Sequence, residues 1–147
     1  MGSKEEKLRK ARALYASKRN CAQMTAVPFA QECGVDETVL LRMLSSFGGG
    51  VAGMKETCGV ITGIATVVGL TEDMALSSDV GDKTFMKVTT QSLIRKFMAK
   101  FEYTQCQQLA AELEKNPNPS DDPDFKAYPC GKLVEAGVEI LYDYLSE

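Results

Sequence analysis

The sequence predicts an all-α, single-domain bundle of about six or seven short helices with irregular joins, and three observations predict it. No stretch alternates polar and apolar residues for long enough to make a strand. Several stretches place apolar residues three and four apart, most extensively Met86, Thr90, Leu93, Ile94, Phe97 and Phe101. Helix-start signatures precede many of these stretches, as in the capping box Ser3-Lys4-Glu5-Glu6. With 147 residues, 44% of them hydrophobic, the chain can bury one core without covalent staples.

In order, the first helix runs from Ser3 to about Lys18, with Leu8, Ala11 and Tyr15 on one face. Residues 1–3 read in part as a tag remnant or a disordered end. Asn20 is the N-cap of a second helix whose first residue is Cys21. Ala22, Thr25, Phe29 and Cys33 continue it to Gly34, with a kink or break at Pro28. Val35 and Asp36 open a third helix carrying Leu40, Leu44 and Phe47, which ends at the triplet Gly48-Gly49-Gly50. The fourth spans Cys58 to Leu70, entered through Glu56 and Thr57. Residues 71–82 form a polar loop, and a long fifth helix starts near Lys83. Thr104-Gln105-Cys106-Gln107 reads as a second capping box, opening a short helix to about Leu113. Residues 114–129 hold four of the five prolines and form a long irregular loop, of a kind that is often functional. A final helix begins near Cys130 and buries Leu133, Val134, Gly137, Val138, Leu141 and Leu145.

Composition excludes several functions. Net charge is −3 and pI about 5.1, which gives no electrostatic support to nucleic-acid binding. The basic residues of positions 4–19 and the acid-rich last third read as complementary solvated faces. The longest apolar run, Cys58–Leu70, is too short and glycine-rich to span a bilayer. The N-terminus has no apolar signal region, so the expected compartment is cytoplasmic, where thiols stay reduced; an odd count of five cysteines also argues against a disulfide framework. There is no histidine, which removes nucleophile–imidazole pairs, histidine metal ligands and C-x-x-C-H haem attachment.

The chemistry left is that of thiols, carboxylates, lysine and tyrosine. Cys21, Cys58, Cys106 and Cys130 each fall at the start of a predicted helix, where unpaired N–H groups and the helix dipole favour a thiolate. Cys33 falls at a helix end and stands apart. The four lie far apart in sequence and form no C-x-x-C, which excludes a zinc ribbon or a ferredoxin loop, yet four helices can bring four ligands together. Gly48, Gly49, Gly50, Gly59 and Gly63 are expected to allow close backbone approach around this site. Gly48 to Lys55 narrowly misses a phosphate-binding loop, because Met54 separates Gly53 from Lys55 and a helix precedes it.

Asn20-Cys21-Ala22-Gln23, Phe47-Gly48-Gly49-Gly50 and Thr57-Cys58-Gly59-Val60-Ile61-Thr62-Gly63 carry a resemblance, together with Cys106 before Leu109 and Cys130 before Leu133-Val134. In order and spacing they resemble the redox-active four-cysteine family C_GCAxxG_C_C, over most of the chain. The resemblance implies redox activity, with an iron–sulfur cluster or another thiolate-bound metal carried by Cys21, Cys58, Cys106 and Cys130. A related segment occurs in split-Soret-type cytochromes, but no haem motif is present here and no haem is expected. Val60 stands where the family has alanine, so its extra methyls are expected to crowd a close contact; Pro28 is a second departure. Cys33 has no family counterpart.

Two readings follow. In one, the four thiolates gather into a redox or metal site that exchanges electrons with an unidentified partner. In the other, the chain is a helical homodimer, an interaction module whose cysteines only pack. An ordinary acid/base enzyme is disfavoured by the missing histidine.

Overall fold

The capping signals read from the sequence start the first two helices where expected. The computed structural model describes residues 1–147. Helix α1 (Lys4–Ala16) is opened by Ser3, whose hydroxyl accepts from the Glu6 N–H at 3.1 Å while the Glu6 carboxylate accepts from the Ser3 N–H at 3.3 Å. Ser3 is therefore tied into the fold. Helix α2 (Cys21–Ala26) has the same reciprocal cap between Asn20 and Gln23. These two side chains also donate to the Leu44 carbonyl at 3.0 Å and the Leu41 carbonyl at 2.7 Å, so the cap fastens α2 to the next helix.

Pro28 breaks α2 rather than kinking it. A 3-10 turn, Val27–Phe29, replaces the helix, and Cys33 lies in the turns that follow, not at a helix end. Helix α3 (Glu37–Met43) starts at the expected Asp36 cap but stops short of the glycine triplet. Helix α4 (Gly59–Thr71) takes Cys58 as its N-cap. Residues 71–82 contain a 3-10 turn, Asp73–Leu76, and α5 (Val80–Phe101) starts earlier than Lys83 because the Asp79 carboxylate accepts from the Asp82 N–H. Helix α6 (Cys106–Lys115) and helix α7 (Gly131–Leu145) complete an all-α domain. The Thr104 capping box does not form: Gln105 is the N-cap, and it makes no side-chain bond. There is no strand, only one isolated bridge between Thr57 and Gln105. No helix is long and apolar enough to cross a membrane.

Helix α4 is the hub. Val60, Ile64, Val67 and Val68 are wholly buried, and α2, α5 and α7 all pack on it. Its contact with α2 is close because Gly63 has no side chain: a Cβ there would lie 2.8 Å from the Thr25 Cβ and 3.1 Å from the Ala22 carbonyl oxygen. The crowding expected at Val60 does not arise, because one Val60 methyl occupies the space that a side chain at Gly137 of α7 would fill. Valine on one helix is matched by glycine on its neighbour. Helix α5 is barely amphipathic; it buries Leu93 and Phe97 and leaves Val80, Phe85 and Val88 exposed. Basic residues of α1 meet acids of the last third through Lys4–Asp143 at 2.8 Å, which is solvated as expected, and through the pair Arg12–Glu135, which is largely buried.

Two glycines of α4 should respond oppositely to alanine. At Gly63 overpacking costs about 1–3 kcal/mol, more than the roughly 1 kcal/mol gained in helix propensity. A Cβ at Gly69 meets nothing within 4 Å, so the propensity gain stands alone there. Urea denaturation should show Gly63→Ala destabilised and Gly69→Ala stabilised by about 0.5–1 kcal/mol.

Candidate thiol site

The segment from Phe47 to Cys58 sets the site's geometry. Five residues in succession, Gly49, Gly50, Val51, Ala52 and Gly53, have positive φ between 52° and 74°, and Lys55 adds a sixth at 63°. Glycine takes this conformation freely, whereas valine, alanine and lysine are strained in it. Long-reach bonds hold the loop: the N–H groups of Ala52, Lys55 and Glu56 donate to the carbonyls of Ser46, Gly49 and Gly50 at 2.7, 2.9 and 2.9 Å.

The loop then caps α6. The carbonyls of Glu56 and Lys55 accept from the N–H groups of Cys106 at 2.6 Å and Gln107 at 3.2 Å, so backbone replaces the expected Thr104 hydroxyl. In return the Thr104 carbonyl accepts from the Cys58 N–H at 2.9 Å. These bonds bring the starts of α4 and α6 together, and with them Cys58 and Cys106. At Gly50 a Cβ would lie 2.7 Å from the Cβ of Cys106, and at Gly59 it would overlap the Cys21 sulfur. The bare backbone at Gly59 is the seat of that sulfur.

Cys130 arrives from the proline-rich loop. Phe125 is wholly buried, Tyr128 stacks on Tyr15 with ring centroids 4.6 Å apart, and the Gly131 N–H donates to the Tyr128 carbonyl at 3.0 Å. This aromatic clamp fixes the N-cap of α7, which is Cys130 itself.

All four cysteines line one cavity of about 450 Å³. Gly49, Gly59, Tyr15, Tyr128 and Lys55 also line it, whereas Gly48, Gly50 and Gly63 act behind it through contacts with Asn20, Cys106 and Thr25. Cys33 is elsewhere, buried in the core near Lys7 and Glu32.

The helix-start positions are as expected, but their electrostatic consequence is not. Burial pushes the Cys58 thiol from 9.0 up to about 12; the N–H groups of Val60 and Ile61 oppose this, and charge on Cys21 or Cys130 adds to it. Burial likewise raises Cys130 to about 11, with Cys21 and Cys106 adding and Lys55 opposing. Cys106 is raised for the same reason and eased by Lys55. Burial also raises the Tyr128 hydroxyl, followed by the influence of Cys21, Cys130 and Cys58. The helix N-terminus does favour the thiolate, yet removal from water outweighs it.

No three His, Cys, Asp or Glu side chains stand close enough to hold one metal ion. The thiols surround a space, not a point. A single ion with three or four protein ligands does not fit this arrangement. What the four thiols share is one cavity that all of them line.

Sequence reasoning missed Tyr15, Tyr128 and Lys55. Tyr128 had one signal, its place two residues before Cys130. Lys55 was read only as a misplaced phosphate-loop lysine, and Tyr15 only as part of the face of the first helix that carries Leu8 and Ala11.

A family model described as "Putative redox-active protein (C_GCAxxG_C_C)" matches residues 19–144. No curated protein and no solved structure gives a significant match to the chain.

The raised thiols have a consequence for stability. A thiol whose pKa is higher folded than unfolded keeps its proton longer in the folded state, so its contribution is complete below pH 9 and is lost as pH rises toward 11–12. The melting temperature of the metal-free reduced protein should fall through this window. Cys58→Ala and Cys130→Ala should each flatten that fall, measured by circular dichroism.

Proposed function

The chain belongs to the C_GCAxxG_C_C family, and from that premise we propose that Cys21, Cys58, Cys106 and Cys130 form an electron-transfer site that holds an iron–sulfur cluster. One observation carries the reading: four thiols from four helix starts line a common cavity, while the fifth, Cys33, packs in the core as a small hydrophobe would.

When bound, such a cluster supplies one-electron transfer. The chain's own residues do the rest. The sulfurs of Cys21, Cys58, Cys106 and Cys130 are the ligands, and each must give up its proton for loading. The backbone N–H groups of Val60 and Ile61, at the start of α4, favour added negative charge on the Cys58 sulfur. Lys55 sets a positive charge beside Cys106 and Cys130. Gly49 and Gly59 leave the cavity its volume, and the Tyr15–Tyr128 stack shields it from water. The site calls for a reducing compartment, in keeping with a cytoplasmic protein, and for a redox partner.

Anaerobic reconstitution tests the reading through iron and sulfide content and visible absorption. The wild type should bind both. Serine at any of the four positions should remove or alter the cluster, and Cys33→Ser should leave it unchanged. Colourless, iron-free protein after reconstitution would overturn the proposal. If that protein reversibly lost two hydrogens on oxidation, a dithiol–disulfide couple would take its place; with neither property, the cysteines would be packing residues.

A further inference from the structure

A second cavity, of about 570 Å³, lies between α6 and the proline-rich loop. Its size is that of a small-molecule site, for which volumes run from about 300 to 1,000 Å³. Lys55, Ala110 and Cys130 line both this cavity and the thiol cavity, and Cys130 is the one cysteine common to the two. Whatever occupies the second cavity sits against a thiol of the first.

The wall is built in advance of any ligand. Leu113 of α6 faces Pro117, Pro119 and Pro129 of the loop, and each proline ring fixes its own φ. The loop is pinned by the buried Phe125 and by Ser120, whose hydroxyl accepts from the Asp122 N–H at 3.1 Å. Asp122 in turn accepts from the Asp124 N–H at 2.9 Å. A preformed wall spares a ligand the cost of ordering it.

Charge indicates what would fit. Lys55 and Lys126 line the cavity and neither joins a salt bridge, while Glu114 is the single acid among the lining residues. Apolar walls with two unpaired ammonium groups suit an anion with a hydrocarbon body. We propose that this cavity binds a small organic anion with an apolar ring system, its ring on the prolines and Leu113 and its charge toward Lys55 and Lys126, against Cys130. The binding site stands on its own walls and charges, whatever the thiol cavity holds.

The probe is anthraquinone-2-sulfonate, titrated calorimetrically into the reduced 147-residue chain. Saturable one-to-one binding is expected. Lys126→Glu should weaken it by roughly tenfold, because a like charge then faces the sulfonate. Ala127→Trp should abolish it by filling the cavity. Both positions are exposed, so both variants keep the fold, which circular dichroism checks. Bound probe should also slow alkylation of Cys130 by N-ethylmaleimide, read by mass spectrometry, and leave Cys33 unaffected. No saturable binding would overturn the proposal, as would binding unchanged in both variants. Binding that left Cys130 unprotected would place the ligand elsewhere and overturn it equally.

Discussion

The close approach of α2 to α4 is the constraint on which the site depends. Gly59 and Gly63 present bare backbone to Cys21, Ala22 and Thr25, and the sulfur of Cys21 rests where a side chain at 59 would be. Any larger residue at 59 would displace Cys21 from the cavity or push α2 off the core. The arrangement then propagates along α4 to Val60, whose bulk is accommodated only because α7 carries glycine at 137. Helix α7 is thereby positioned with Cys130 at its start. A packing rule, small residue against large, thus determines where the thiols stand.

The glycine-rich loop contributes through strain as well as through space. A left-handed conformation costs roughly 1–2 kcal/mol for each non-glycine residue, and Val51, Ala52 and Lys55 all adopt it. Such outliers persist only where surrounding bonds over-determine them. Here the bonds are those from Ala52, Lys55 and Glu56 back to Ser46, Gly49 and Gly50. The return is that the carbonyls of Lys55 and Glu56 are aimed at the first N–H groups of α6. A smoother loop would leave those donors unpaired beside the cavity.

Much of this was legible in the chain because it is local. Ser3, Asn20 and Asp36 announce their helices through side chains that bond within three residues, and Asn20 thereby places Cys21 at the start of α2. The alternation of periodic segments with glycine and proline sufficed for the all-α class. What was not legible is non-local. The cap of α6 comes from Lys55 and Glu56, some fifty positions earlier, so Thr104 was a plausible and mistaken choice. Tyr15 meets Tyr128 across nearly the whole chain. The Val60–Gly137 match could be seen only once α4 and α7 were side by side. Buried environment is likewise a property of the fold, which is why helix-start position alone gave the wrong sign for Cys58, Cys106 and Cys130.

That sign bears on how the site can work. Ionised thiols grouped around one cavity would repel one another; burial raises Cys58, Cys106 and Cys130, and Lys55 only partly eases Cys106 and Cys130. In the metal-free site Cys58, Cys106 and Cys130 are therefore biased toward the neutral thiol. A cationic occupant reverses the balance, since its own charge removes the penalty for each proton lost. The same burial that suppresses free thiolates would then strengthen their attraction to the cation, because a low-dielectric site screens it poorly. Cys33, buried in the core and apart from the other four, has no such occupant to answer, and its raised thiol is the ordinary consequence of packing. The difference between the two environments lies in the grouping of the sulfurs around a space, and that grouping is the work of the glycines.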